Sequence, residues 1–379
     1  MASRQALRGV WWQVHKWIGL ILMIVLIPIG LSGVVLAWDD AIDHALSPQR
    51  YAVSGPVALP PSSYAEAAMR RLGPDERVAM IRYPEGEGPV IVTAAKAPQR
   101  VPGVAKHGGM ALRTTLWLDP ATARVLDVRR SDSGLIRVAH DFHGTLFIPG
   151  GPGRALVGLL GIAMCLMAVG GVWLWWPPVG HWINGLRWQR GDRRLDSNLH
   201  HRVGFWVALP LAAQAFTGVW MAWPQMMAVA GLAAPHVGPM ERARMLPAAD
   251  TRLSPDGAFA AARTAMPGEM VSLAWPVGMD GPWRVTLRTT HGPVETLVDD
   301  KSAAARPAPP RSDGGLALAM RHYHDGTAIG WGWRVLLVAL GLAPTLLGIT
   351  GLLMWLRGRR WRAEAKRRRH DCAEPVAAA

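Results

Sequence analysis

Hydrophobic and polar positions are arranged along this chain on two different scales. Four uncharged apolar runs, Trp17 to Trp38, Ala155 to Trp176, Val203 to Trp223 and Val335 to Leu356, are each long enough to cross a hydrocarbon core of ~30 Å as a helix. After the first and third runs the period shortens. "PSSYAEAAMRRLGPDERVAMIRYP" and "LSPDGAFAAARTAMPGEMVSLAWP" each read as a capped amphipathic helix, a turn around Gly and Pro, and an alternating strand. "GPVIVTAA" and "TTLWLDPATARVLDV" follow in the first block, "GPWRVTLRTT" and "GPVETLVDD" in the second, as further strands with tight turns. Residues 303–315, "AAARPAPPRSDGG", read as a Pro and Gly rich linker. The pattern predicts an α-helical membrane protein with four transmembrane helices and two small α+β modules between them.

The pattern is also written twice. A shift of 185 residues lays "HKWIGL" (15–20) over "HHRVGF" (200–205) and "LSGVVLAW" (31–38) over "FTGVWMAW" (216–223). A shift of 180 lays "GRALVGLLG" over "WRVLLVALG" and "GGVWLWW" over "TGLLMWL". An internal duplication of one unit, span, module, span, accounts for all four matches. The expected boundaries are 1–38 for an N-terminal segment and the first helix, 39–153 for the first module, and 154–178 for the second helix. Residues 179–198 form a basic loop, 199–223 the third helix, 224–332 the second module, 333–357 the fourth helix and 358–379 a basic tail.

Charge orients this plan. Residues 1–16, 177–202 and 357–379 hold 16 of the 41 Lys and Arg but 5 of the 27 Asp and Glu, leaving +3 of the net +14 for the rest of the chain. Positive charge collects on the cytoplasmic side of membrane proteins, so both termini are expected inside and both modules outside. The basic tail abuts a span, which favours anionic lipid over nucleic acid as its partner. Sixteen of the 19 tryptophans fall in or beside the apolar runs, as interfacial belts do. The first run is too long for a signal-peptide core and lacks a clean cleavage site, so it reads as an uncleaved anchor. Cys165 lies in the second run and Cys372 in the tail, which excludes a disulfide framework.

Seven of the 13 histidines stand at the doorsteps of the runs: His15, His140, His143, His200, His201, His322 and His324. Singly, each reads as an interfacial imidazole. The repeat adds more. His15 and His200 are equivalent, each with a basic residue within two positions (Lys16, Arg202) and glycine four positions on (Gly19, Gly204). His143 in "FHGTLF" and His324 in "YHDGTAIG" correspond within one residue of gap and precede Arg154 and Arg334.

Equivalent histidines on different helices can face one another across a pseudo-two-fold axis with a flat cofactor between them, the geometry of bis-histidine haem. No C-x-x-C-H is present, so such haems would be non-covalent, b-type, and two in number. Lys16, Arg202, Arg154 and Arg334 would face propionates, and Gly19, Gly204 and Gly158 would admit a macrocycle near the backbone. His140, His201 and His322 are secondary ligand candidates. A zinc or copper site is the alternative, and it would need third and fourth ligands in each layer.

At these residues the chain resembles the PepSY-associated transmembrane family, bacterial inner-membrane proteins tied to iron acquisition. The H-x3-G openings at His15 and His200, "FHGTLF" leading into "GPGRALVGLLG", and "YHDG" leading into "WGWR" carry the likeness over nearly the whole chain, with two blocks resembling PepSY domains. The resemblance implies a di-haem ferric siderophore reductase with His15, His200, His143 and His324 as axial ligands of the haem iron. It implies a ferric siderophore as periplasmic partner. The inner segments are too short for a flavin or nicotinamide module, so the electron donor is expected to be a separate reductase or a membrane quinol. Two other readings remain open: a membrane-tethered PepSY regulator or binding module without redox activity, and a quinol-linked cytochrome with another periplasmic acceptor. Trp117, Trp275, Trp283 and Arg284 could line a docking surface or simply pack the strands.

Overall fold

The computed structural model describes residues 2–96, 112–131, 133–149, 151–176, 195–223, 247, 250–278, 281–309, 315–327 and 329–371. Most of the basic loop, residues 224–246 of the second block, residues 310–314 of the linker and the end of the tail lie outside them. The helices are α1 (Ala2–Ala37), α2 (Asp39–Leu46), α3 (Pro61–Met69), α4 (Leu135–Thr145), α5 (Gly151–Trp175), α6 (Leu195–Ala222), α7 (Pro255–Ala265), α8 (Leu316–Asp325) and α9 (Trp331–Asp371). Two compact units result: residues 39–138 with 234–314, and the remainder.

Four helices, α1, α5, α6 and α9, are long and apolar enough to cross a membrane. Two of them run well past the uncharged runs. α1 starts at Ala2, and α9 continues through "RGRRWRAEAKRRRHD" to Asp371. Charge ends an apolar run without ending a helix, because Arg, Lys, Ala and Glu are all strong helix formers. α9 is pinned to the start of α6 by Arg357, whose Nη1 donates to Asp196 Oδ1 at 2.7 Å and Oδ2 at 2.5 Å.

The four helices close a ring, α1 on α9, α9 on α6, α6 on α5 and α5 on α1. Lipid tails are as apolar as leucine, so association in a bilayer depends on close packing at small residues. A Cβ on Gly341 of α9 would stand 2.6 Å from Val34 Cγ2 and 2.8 Å from Gly30 O of α1. The α5/α6 crossing has the same form: a Cβ on Gly161 would stand 2.7 Å from Val219 Cγ2. Val34 and Val219 are 185 residues apart, and Gly161 and Gly341 are 180 apart. Gly158, expected beside a ligand, instead packs helix on helix, its Cβ position 2.8 Å from the Trp223 indole.

The other unit differs from the expectation of two separate modules. Its strands, β1 (Glu76–Arg82), β2 (Val90–Lys96), β3 (Leu112–Leu118), β4 (Val125–Arg130), β5 (Glu269–Ala274), β6 (Trp283–Thr289), β7 (Gly292–Val298) and β8 (Ala305–Pro307), form one antiparallel sheet. The order is β4-β3-β2-β1-β5-β6-β7-β8, so each block supplies four strands and the two meet at β1 and β5. There Met80, Ile81 and Arg82 pair with Ala274, Leu273 and Ser272. Without that pairing both strands would be open edges, with unpaired N–H and C=O groups. β8 arises inside the expected linker, where Ala305–Pro307 pair with β7.

Two cores lie on the sheet, one around Tyr64, Ile81 and Leu116 under α3, one around Trp283, Leu287 and Ala258 under α7, and Met270 and Trp275 touch both. At the helix starts, Asp256 of α7 accepts from Ser62 N at 2.9 Å and Ser62 Oγ at 2.6 Å on α3. The aromatic docking surface is not what these residues form. Trp283 is fully buried, with Nε1 donating to Asp300 at 2.8 Å, and Trp117 lies 4.1 Å beneath the Arg50 guanidinium. Arg284 is paired with Glu295.

Candidate functional site

His143 and His324 ride on α4 and α8, short helices that precede the spans α5 and α9. Their rings meet with centroids 6.2 Å apart and planes inclined at 58°. Two imidazoles on opposite sides of one metal ion have centroids ~6 Å apart, given metal–nitrogen bonds of ~2 Å and ~1 Å from Nε2 to each ring centre. The separation is the one expected of two imidazoles that share one metal ion.

Hydrogen bonds set the tautomer of both rings. His143 Nδ1 lies 3.0 Å from Ile29 O and 3.2 Å from Ser32 Oγ on α1. His324 Nδ1 lies 3.2 Å from Gln214 O and 3.0 Å from Thr217 Oγ1 on α6. A carbonyl only accepts, which assigns the proton to each Nδ1, and the Gln214 side-chain amide, 3.4 Å from His324 Nδ1, donates instead to His324 O at 2.9 Å. The hydroxyls agree, since Ser32 donates its proton to Ile29 O at 2.8 Å and Thr217 to Gln214 O at 2.8 Å. Each ring then presents Nε2 with a bare lone pair, the form that binds metal, and a protonated, hydrogen-bonded Nδ1 makes that lone pair more basic. Ile29 and Gln214, and Ser32 and Thr217, are each 185 residues apart.

The first pair is built differently. His15 lies well inside α1 and His200 in the second turn of α6, and both line a cavity of about 580 Å³. That volume is within the ~300–1,000 Å³ of cofactor pockets. Gly19 and Gly204 line it as expected. His200 Nδ1 lies 3.0 Å from Thr350 Oγ1, whose own proton goes to Leu346 O at 2.7 Å. His15 Nδ1 is buried without a partner. The counterpart of Thr350 under the shift of 180 is Gly170, and the Trp11 indole fills the space where a Gly170 side chain would stand.

His15 to Ile29–Gly33 on α1, and His200 to Gln214–Gly218 on α6, each span 14–18 residues. At 1.5 Å per residue the two pairs are roughly 21–27 Å apart along the helices. Of the remaining candidates, His140 and His201 are exposed and His322 half-buried. His201 spends Nδ1 on its own helix, at Ser197 O. Lys16 lines the cavity with Arg8 and Arg362, neither of which carries a repeat signal in the sequence, and among the described residues no acidic one lines it. Arg8 donates to Leu174 O at 2.7 Å and Trp176 O at 3.1 Å at the end of α5. Arg202 is not on that wall, while Arg154 and Arg334 sit in the first turns of α5 and α9.

The donor set suits haem. A porphyrin supplies four ligands of its own, so a pair of imidazoles would complete its iron, whereas a bare ion would need further protein ligands. Among the described residues no group of three or more His, Cys, Asp or Glu comes together for that purpose. The cations on the described wall would suit propionates, and its apolar lining would suit the macrocycle.

Four membrane-spanning helices with histidine pairs set between them, and an eight-stranded antiparallel sheet, define a multi-pass helical membrane protein. Residues 12–358 match the family described as the PepSY-associated TM region, and the chain belongs to that family. An uncharacterised protein of Pseudomonas aeruginosa is 28% identical over 283 residues, covering 63% of this chain and 69% of that protein.

Proposed function

We propose that this protein is a di-haem oxidoreductase of the bacterial inner membrane that carries electrons outward to reduce a ferric siderophore and release Fe(II). The observation that carries this reading is the approach of His143 and His324 to 6.2 Å, each with Nδ1 tethered at an equivalent place on another helix. His15 and His200 would hold one b-type haem at the cytoplasmic end, and His143 and His324 the other at the periplasmic end. Bound haem iron, cycling between Fe(III) and Fe(II), would supply the one-electron chemistry.

The chain's own part is binding and orientation. Nδ1 tethers hold three of the four rings, Lys16 and Arg362, with Arg8 beside them, would offer charge to propionates, and the apolar helices would line the macrocycle. The sheet unit, read as two PepSY-like halves of a duplicated chain, would face the periplasm and receive the chelate. Siderophores hold Fe(III) with hard oxygen donors, and Fe(II) is held less firmly by the same atoms. Outward electron movement from a negative interior is favoured by ~2.3 kcal/mol per 100 mV. The donor would be a quinol or a separate cytoplasmic reductase.

The test is an absorption spectrum of full-length protein purified after haem-supplemented expression. A Soret band with two haems per chain is expected, and dithionite-reduced protein should be reoxidised by a ferric hydroxamate chelate with Fe(II) trapped by ferrozine. Absence of bound haem would overturn the reading. Two haems without reoxidation by any ferric chelate would leave a cytochrome with another periplasmic acceptor.

A further inference from the structure

Each of the four histidines faces a glycine on a neighbouring helix. A Cβ on Gly33 of α1 would stand 3.0 Å from His143 Cε1, and one on Gly218 of α6 would stand 3.2 Å from His324 Cε1. A Cβ on Gly171 of α5 would stand 3.2 Å from His15 Cε1, and one on Gly351 of α9 would stand 3.4 Å from His200 Cε1. The correspondence is one to one among the described residues: no other glycine meets a histidine this way, and His140, His201 and His322 meet none. Gly33 and Gly218 differ by 185, Gly171 and Gly351 by 180, the two shifts that relate the spans.

We infer that Gly33, Gly171, Gly218 and Gly351 are positioning residues that seat the Cε1 edge of the histidine opposite and so set where its Nε2 stands. The inference rests on the di-haem reading for what the Nε2 atoms hold. For His143 and His324 the seat and the Nδ1 tether come from one stretch of helix, Ile29–Gly33 and Gln214–Gly218, so a single turn fixes two adjacent ring atoms. For His200, Thr350 and Gly351 are consecutive. His15 has only the seat, since its Nδ1 is unpartnered. Mid-helix glycine is a poorer helix former than alanine by ~1 kcal/mol. Alanine at these positions therefore favours the helix while crowding the ring, which separates a positioning role from a structural one. A Cβ at 3.0–3.2 Å asks the ring to give by a few tenths of an ångström, a sizeable part of the ~0.5 Å within which ligand geometry must be held, whereas one on Gly351, at 3.4 Å, meets His200 at the edge of ordinary contact.

The experiment compares full-length Gly33→Ala, Gly218→Ala, Gly171→Ala and Gly351→Ala with Gly332→Ala. Gly332 is a glycine of α9 that does not line the His15 and His200 cavity, and its Cβ would meet nothing within 4 Å. Gly33→Ala and Gly218→Ala should each lose one haem of two or convert it to a high-spin spectrum. The retained first-pair haem would report an intact fold. Gly171→Ala should act likewise on the first pair, Gly351→Ala more mildly, and Gly332→Ala not at all. A second readout needs no haem: carbethoxylation of His143 in haem-free protein, followed by mass spectrometry, should be faster in Gly33→Ala than in wild type.

Wild type with two haems, and four alanine variants with unchanged spectra and unchanged histidine modification, would overturn the seats and leave the di-haem reading standing. A wild type without haem would overturn that reading, and the modification rates alone would then decide the seats.

Discussion

The imidazoles of His143 and His324 stand 6.2 Å apart, each hydrogen-bonded through Nδ1 to a carbonyl and a hydroxyl of a different membrane helix. Two rings that hold one group act as a unit. His143→Ala and His324→Ala should therefore each remove the same haem, and the double variant should lose no more than either single. Haem-to-protein ratios of one in all three, with the remaining haem still reducible by dithionite, are expected. Ratios of one, one and zero would show that the rings serve different sites.

The tethers predict graded effects on reduction potential. Thr350→Val removes the hydroxyl that faces His200 Nδ1 at 3.0 Å and leaves the Leu347 carbonyl as the acceptor beside it, whereas Ser32→Ala leaves His143 with a hydrogen bond to Ile29 O at 3.0 Å. A lost Nδ1 acceptor makes imidazole a poorer donor to Fe(III), so the potential rises. Since one hydrogen bond contributes ~1 kcal/mol, the rise for Thr350→Val should be tens of millivolts at most. A redox titration should show that rise in the first-pair haem and a smaller one for Ser32→Ala. Equal shifts would mean the hydroxyls are not the acceptors that matter.

Spans, strands and the four paired histidines were legible because each leaves a periodic or repeated trace. The tethers and seats were half legible: Ser32 and Gly33 lie over Thr217 and Gly218 inside "LSGVVLAW" and "FTGVWMAW". A serine or glycine in an apolar run carries no sign of what it touches, whereas a histidine at the start of one stands out. The pairing of β1 with β5 left no trace, because two strands separated by a span, a loop and a second span share no local pattern. Arg8 and Arg362 were hidden by distance along the chain, being brought to one cavity by helices that outrun their apolar segments.

One continuous sheet should unfold as one body. Trp283 is fully buried in the second block's core, and Met270 and Trp275 connect it to the first. Trp283→Ala should cost about 3–5 kcal/mol. The loss should appear as faster hydrogen exchange in β2 and β3 as well as in β6 and β7, measured on full-length protein by mass spectrometry. Faster exchange confined to β6 and β7 would mean two independent modules that merely touch.

Acid should weaken the sheet unit through Asp119. Burial alone would raise its carboxyl, but Ser54 N and Oγ, each at 2.6 Å, Thr122 Oγ1 and the nearby Arg124 charge outweigh that and hold it below its ordinary 3.8. Glu76 is held down in the same way, against burial, by Thr114 and by Gly73 N at 2.8 Å. A carboxylate depressed in the fold adds stability that is complete above its unfolded value and is lost as pH falls through the folded one. Thermal midpoints followed by tryptophan fluorescence should therefore be flat near neutrality and fall steeply below about pH 4, where carboxylates begin to protonate. Asp119→Ala should lower the neutral midpoint, leaving Ser54 N–H unpaired at a cost of about 1–3 kcal/mol. It should also shallow the acid slope, because one group that must take up a proton has gone. An unchanged slope would assign the acid sensitivity to Glu76 and the other depressed carboxylates, and would remove Asp119 from the linkage.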